Sequence, residues 1–120
     1  MAELTQESAH AIVASYRALE TEELALHPGP SPVEQFAVRA VALGLEEPGF
    51  DWRDWEPVET GAFENPDFAV DADAETLKRL MTAHMRTNRF VGGHLERMQE
   101  EGVLARIVDR LSQLAETDEV

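Results

Sequence analysis

Residues 73–88 read DAETLKRLMTAHMRTN, and this run decides the fold class. Leu77, Leu80, Met81 and His84 recur at the three-and-four spacing that lines one face of a helix, and Asp73 stands where a side-chain oxygen can cap the first turn. Arg79, Thr82, Arg86 and Arg89 follow steps of three, four and three, away from the Leu77 and Met81 face. A strand would alternate its faces at every residue, so the pattern predicts a long amphipathic helix from Asp73 to about Asn88.

Toward the carboxyl end, Phe90 to Glu101 is expected to form a further helix after a bend, with Phe90, Val91, Leu95 and Met98 apolar. Gly102 then separates off a last helix, Val103 to about Leu114, whose stripe is Leu104, Ile107, Val108, Leu111 and Leu114. Toward the amino end, Ser31-Pro32-Val33-Glu34 is a capping box with proline at the first helical position. Its helix carries Val33, Phe36, Ala37, Ala40 and Val41, and Gly44 is placed to end it in a left-handed cap. Thr5 caps a first helix, Gln6 to Leu19, that buries Ala9, Ile12, Val13, Tyr16 and Leu19 before fraying into Glu20-Thr21-Glu22-Glu23 and breaking at His27-Pro28-Gly29-Pro30.

From Leu45 to Asp71 the chain changes character. Pro48, Gly49, Pro57, Gly61 and Pro66 interrupt it too often for a long helix or a paired strand. A short helical turn around Asp51–Trp55, capped by Asp51, is expected inside it, and two glycines, Gly92 and Gly93, are expected early in a helix to permit close packing or a bend. No internal repeat and no alternation at period two is present. The fold expected is all-α: a single-domain helical bundle of about five helices with a long ordered connector, spanning residues 1–115, with a frayed acidic tail at 116–120.

Composition bounds the function. The 120 residues carry 24 acidic and 10 basic side chains, a formal net charge of −14, and no cysteine. Disulfides, thiolate metal sites and cysteine nucleophiles drop out together. No apolar run approaches the ~18 residues a bilayer span requires, and Met1-Ala2-Glu3-Leu4 lacks the features of a signal peptide, so a cytoplasmic, membrane-free protein is expected. The charge is polarised: residues 1–77 are net −14, residues 78–110 net +3, and the last ten net −3. The arginine stripe is thus expected mainly to neutralise acids of the first half, with an anion site as its rival, since guanidinium forks suit phosphate and carboxylate.

Catalytic and cofactor patterns are not legible. The serines lack nucleophile-elbow glycines, and no histidine-carboxylate arrangement stands out by spacing. His84 and His94 match no helical metal-ligand motif, and His84 on an apolar stripe is expected to be a hydrogen-bonded core residue. The Gly92-Gly93 pair lacks a phosphate-loop lysine and serine. The last two helices resemble a helix-turn-helix, with Arg106, Arg110 and Gln113 as possible nucleic-acid contacts. Met98 occupies a position where a small residue normally lets such helices cross, and the acidic surround repels phosphate, so a plain helical hairpin is preferred. Trp52 and Trp55, three apart, would share a face and anchor the connector, or serve as a partner platform.

The run Phe50-Asp51-Trp52 to Trp55, then Leu77, Leu80, Thr82, Arg86, Arg89-Phe90, Gly93, Leu95, Gly102 and Ile107 to Leu111, resembles a domain-of-unknown-function family of short prokaryotic proteins, over about residues 50–112. Gly92 departs from the polar or acidic residue expected in such relatives. The resemblance implies no catalytic residue and no cofactor; it directs attention to Trp52, Trp55, Arg86, Arg89 and Phe90 as a unit.

These readings give a small non-catalytic interaction or regulatory module whose surface is Arg86, Arg89 and His94 with Trp52 and Trp55 nearby. Its partner is another protein or a second copy. A nucleic-acid binder and an enzyme on a small anionic substrate are the alternatives. Acid excess, a single lysine (Lys78), few aromatics and absent cysteine also suggest salt adaptation, because exposed like charges repel unless screened within ~8–10 Å. Unfolding followed by circular dichroism is expected to show a midpoint that rises from low to multimolar KCl; an unchanged midpoint contradicts salt adaptation.

Overall fold

The helix starts follow from their caps. Thr5 Oγ1 accepts the Ser8 backbone N–H at 3.1 Å while Ser8 Oγ accepts that of Thr5 at 2.7 Å, a reciprocal box opening α1 (Gln6–Thr21). Ser31 Oγ accepts the Glu34 N–H ahead of α2 (Pro32–Ala42), and Asp73 Oδ1 accepts the Thr76 N–H ahead of α4 (Ala74–Phe90). The Thr76 hydroxyl, and after it the Thr76 backbone N–H, holds the Asp73 carboxyl below the usual carboxylate range. The computed structural model describes residues 3–21 and 31–120, so the His27–Pro30 break lies outside the described residues. Between α2 and α4 stand α3 (Glu56–Thr60) and three 3-10 turns, Trp52–Asp54, Ala62–Glu64 and Pro66–Ala69; after α4 come α5 (His94–Glu100) and α6 (Val103–Glu116). Among the described residues there is no strand, so the all-α fold stands.

One core collects these elements. α1, which buries Ala9, Ile12, Val13 and Tyr16, and α6, which buries Leu104, Ile107, Val108 and Leu111, form the most extensive helix pairing among the described residues. Gln6 Nε2 donates to the Ala115 carbonyl, tying the start of α1 to the end of α6, and the Tyr16 ring meets Phe36 of α2 edge-on at 5.0 Å. Leu77, Leu80, Met81 and His84 of α4 are buried, as their spacing predicts. The Cα radius of gyration is 13.4 Å, against about 13.6 Å for a single compact domain of this length.

The structure departs from the sequence reading in the connector and after α4. The Asp51–Trp55 turn is a 3-10 turn in which Asp51 makes no side-chain cap, and the α-helical segment of the connector is α3, opened by Pro57. Instead of a helix from Phe90 to Glu101, α4 continues through Phe90 and the chain reverses before α5. Of the two roles expected for the glycine pair, the bend is the one the structure shows: Gly93 adopts φ +80° at the reversal, and a Cβ at Gly92 or Gly93 would meet nothing within 4 Å, so neither serves close packing. In the tail, the Glu119 N–H donates to the Leu114 carbonyl at 2.8 Å and Val120 packs against the core.

Gly44 combines two constraints. At φ +108° it closes α2 with Gly44 N–H to Val41 and Leu45 N–H to Ala40, the two bonds of a Schellman motif, with Leu45 fully buried behind it. Its missing side chain also makes room for the amino-terminal segment, since a Cβ there would stand 2.5 Å from the Leu4 nitrogen. Gly102, at φ +82°, has the same backbone need with open space around it. Gly102→Ala is therefore expected to lower unfolding free energy by ~1–2 kcal/mol from backbone strain alone. Gly44→Ala should lower it by at least about 1 kcal/mol more, because backbone must also move. Urea denaturation of both variants measures this; equal losses contradict the close approach at Leu4.

Candidate functional site

The outward face of α4 divides into two halves with different duties. In the first, Arg79 Nε donates to Glu47 Oε2 at 2.8 Å and Nη2 to Glu75 Oε1 at 2.9 Å, while the guanidinium lies 5.3 Å from the centre of the Phe50 ring. Thr82, buried, accepts the Glu47 backbone N–H at 3.0 Å and donates to the Lys78 carbonyl. These groups fasten the start of the connector to α4, so for Arg79 the stripe does neutralise acids of the first half.

In the second half, Arg86 and Arg89 form no ion pair with any described residue. They border a shallow cleft of about 90 Å³ together with Val41, Glu46, Thr82 and Met85. Next to Arg89, Phe90 is 68% exposed as a residue, and its ring stacks on half-buried Trp52, with centroids 6.4 Å apart and planes at 25°. The Arg53 guanidinium covers both rings, 5.5 Å from Trp52 and 5.4 Å from Phe90. Val91, also exposed, extends the patch.

Trp55 has a separate setting. It meets Phe50 and Phe68 edge-on at 5.4 and 6.0 Å, within the connector. Trp52 and Trp55 therefore meet different rings while both pack against the core as expected of anchors, Trp52 also supporting Phe90. Arg53, which sequence reasoning passed over, had one signal, as the only basic residue between Arg39 and Lys78.

His94 is not on this surface. The reversal at Gly93 turns it inward, where it is 1% exposed and its Nε2 lies 2.9 Å from Nδ1 of fully buried His84. Phe63 stacks on both rings, at 4.8 Å from His84 and 6.0 Å from His94. Burial, then the neighbouring His94, pushes His84 down to about 3, against a weaker contribution from the Phe63 backbone carbonyl. Burial also lowers His94; Glu64 and Glu101 oppose this, and Arg97 adds to it. His84 is thus the hydrogen-bonded core histidine its position implied, with a partner ten residues on that helical spacing could not reveal. Among the described residues, no group of three or more His, Asp or Glu side chains is arranged to hold a metal ion.

The three possible nucleic-acid contacts are dispersed in role. Arg106 is exposed on α6, whereas Arg110 Nε donates to the Ala72 carbonyl at 2.7 Å and its Nη1 to Gln113 Oε1 at 3.1 Å. Arg110 thereby joins α6 to the end of the connector. Among the described residues no helix is long and apolar enough to cross a membrane.

Neither a curated protein nor a solved structure matches the sequence. A family model matches residues 5–117, extending the resemblance carried by residues 50–112 through α1 and α2, and by that match the chain belongs to DUF6508, a family of unknown function.

Proposed function

We propose that this protein is a non-catalytic interaction module that docks an acidic, apolar-anchored segment of another protein on Arg53, Arg86, Arg89, Phe90, Val91 and Trp52. One observation carries the reading: on a chain of net charge −14, two arginines without a described ion-pair partner flank a phenylalanine held 68% exposed against Trp52. Burying such a ring fully is worth about 1.5–3 kcal/mol, and the other aromatic rings of the described chain are buried or half-buried. A stacked, pre-positioned ring loses little freedom on binding, and aromatic and arginine side chains carry most interface energy.

The charge selects the partner. A symmetric contact between two copies through this patch would set Arg53, Arg86 and Arg89 against their own images, a like-charge juxtaposition that costs association. A carboxylate-rich segment instead finds guanidinium donors beside an apolar seat.

A short synthetic peptide of alternating glutamate and phenylalanine is the probe, followed by the Trp52 indole and Arg89 and Phe90 amide signals. Those signals should shift and saturate, the affinity should fall with added salt, and the double variant Arg86→Glu, Arg89→Glu should bind at least about tenfold more weakly with its circular dichroism unchanged. Equal binding by the double variant contradicts the reading, and tighter binding of single-stranded DNA than of the peptide would favour the nucleic-acid alternative.

A further inference from the structure

We propose that Glu64, Arg97, His94 and His84 form a proton-operated latch between the connector and α4–α5, in which Arg97 fixes both imidazoles as Nε2–H tautomers and one proton taken up at His94 Nδ1 displaces Arg97. The inference goes beyond the docking surface, which uses none of these four residues.

The tautomers follow from donor and acceptor arithmetic. Arg97 can only donate, and its Nη2 stands 3.5 Å from His94 Nδ1 while donating to both carboxylate oxygens of Glu64 at 2.8 Å. His94 Nδ1 therefore presents a lone pair, and its proton sits on Nε2, aimed at His84 Nδ1 2.9 Å away. His84 Nδ1 then accepts, which places the His84 proton on Nε2, a buried atom without a hydrogen-bond partner of good geometry, on the side of the Phe63 carbonyl. The reverse arrangement fails at both ends. It would set a His94 N–H against the Arg97 N–H, and a His84 lone pair toward the Phe63 carbonyl oxygen.

Proton uptake has one unblocked entrance. His84 Nδ1 is occupied by the hydrogen bond, whereas His94 Nδ1 faces the charged groups at the edge of the core. A proton from water bound there leaves the Nε2–H bond to His84 intact, but the new N–H cannot face the guanidinium. Arg97 moves off toward Glu101, already 3.4 Å from its Nε, and Glu64 becomes the acceptor for His94. The groups acting on His94 are Glu64 from the Ala62–Glu64 turn, His84 from α4, and Arg97 and Glu101 from its own helix; none from α2 or α6 does.

The sign of the pH effect follows. Both histidines bind protons less readily folded than unfolded, so their contribution to stability is complete above the unfolded value of about 6.5 and declines as pH falls below it. The loss approaches about tenfold in the folding equilibrium per pH unit for each histidine that remains neutral. Acid also removes the Arg97–Glu64 clasp, loosening Phe63 and the connector that supports Trp52.

Long-range proton–nitrogen spectra of the imidazole rings, recorded across a pH titration, test this on the full chain. At neutral pH both rings should be Nε2–H tautomers; on acidification His94 should titrate first, below 6.5, through Nδ1. Arg97→Met should raise the His94 midpoint and Glu64→Gln should lower it, both with native circular dichroism at neutral pH. An Nδ1–H tautomer at His94, or a midpoint unmoved by Arg97→Met, overturns the proposal.

Discussion

Ring contacts between the connector and α4 are the constraint on which the rest of this fold depends. α1 buries its apolar stripe against both α6 and α2, but the segment between α2 and α4 has no periodic stripe to offer. It carries instead five of the chain's eight aromatic residues, and each has a partner. Phe50 lies beneath Arg79 and against Trp55, Trp55 against Phe68, Trp52 against Phe90, and Phe63 against His84 and His94. Large flat side chains achieve in single contacts what a helix face achieves by repetition, which is how 3-10 turns too short for amphipathicity can be held in place.

Charge completes that docking. Among the described residues, the two ion pairs that join separate elements, Arg79–Glu47 and Arg97–Glu64, both run from the connector to α4 or α5. Each is partly exposed and worth ~0–1 kcal/mol at most, so their weight lies in register more than in stability. The polarity of the chain, acidic before residue 78 and mildly basic after it, is therefore used partly within the molecule. Arg86 and Arg89 stand outside these pairs, next to Phe90 at the end of α4.

Legibility in the sequence tracks whether a feature is local. The caps at Thr5, Ser31 and Asp73, the Schellman glycine Gly44 and the stripe of α4 each declare themselves within one or two turns, and each stands in the structure. The connector does not, because its conformation is set by contacts more than twenty residues away in sequence, such as Phe63 on His84. His94 lies inside for a related reason. Its direction depends on the left-handed Gly93 turning the chain back, and a glycine pair is compatible with a bend, a packing contact or a reversal. The family resemblance singles out Phe90, but its exposure follows from α4 running two residues further than its apolar spacing suggests.

Arg53 allows a direct measurement, being the one tryptic site between Arg39 and Lys78 and lying within the connector. If rings and ion pairs hold the connector to α4, cleavage after Arg53 requires global unfolding, so its rate should be very slow in native buffer and rise with urea in parallel with the unfolding equilibrium. In Phe63→Ala the same cut should become fast while α1 and α6 stay folded. Rapid cleavage after Arg53 in the unaltered protein, with a weak dependence on urea, would contradict the account.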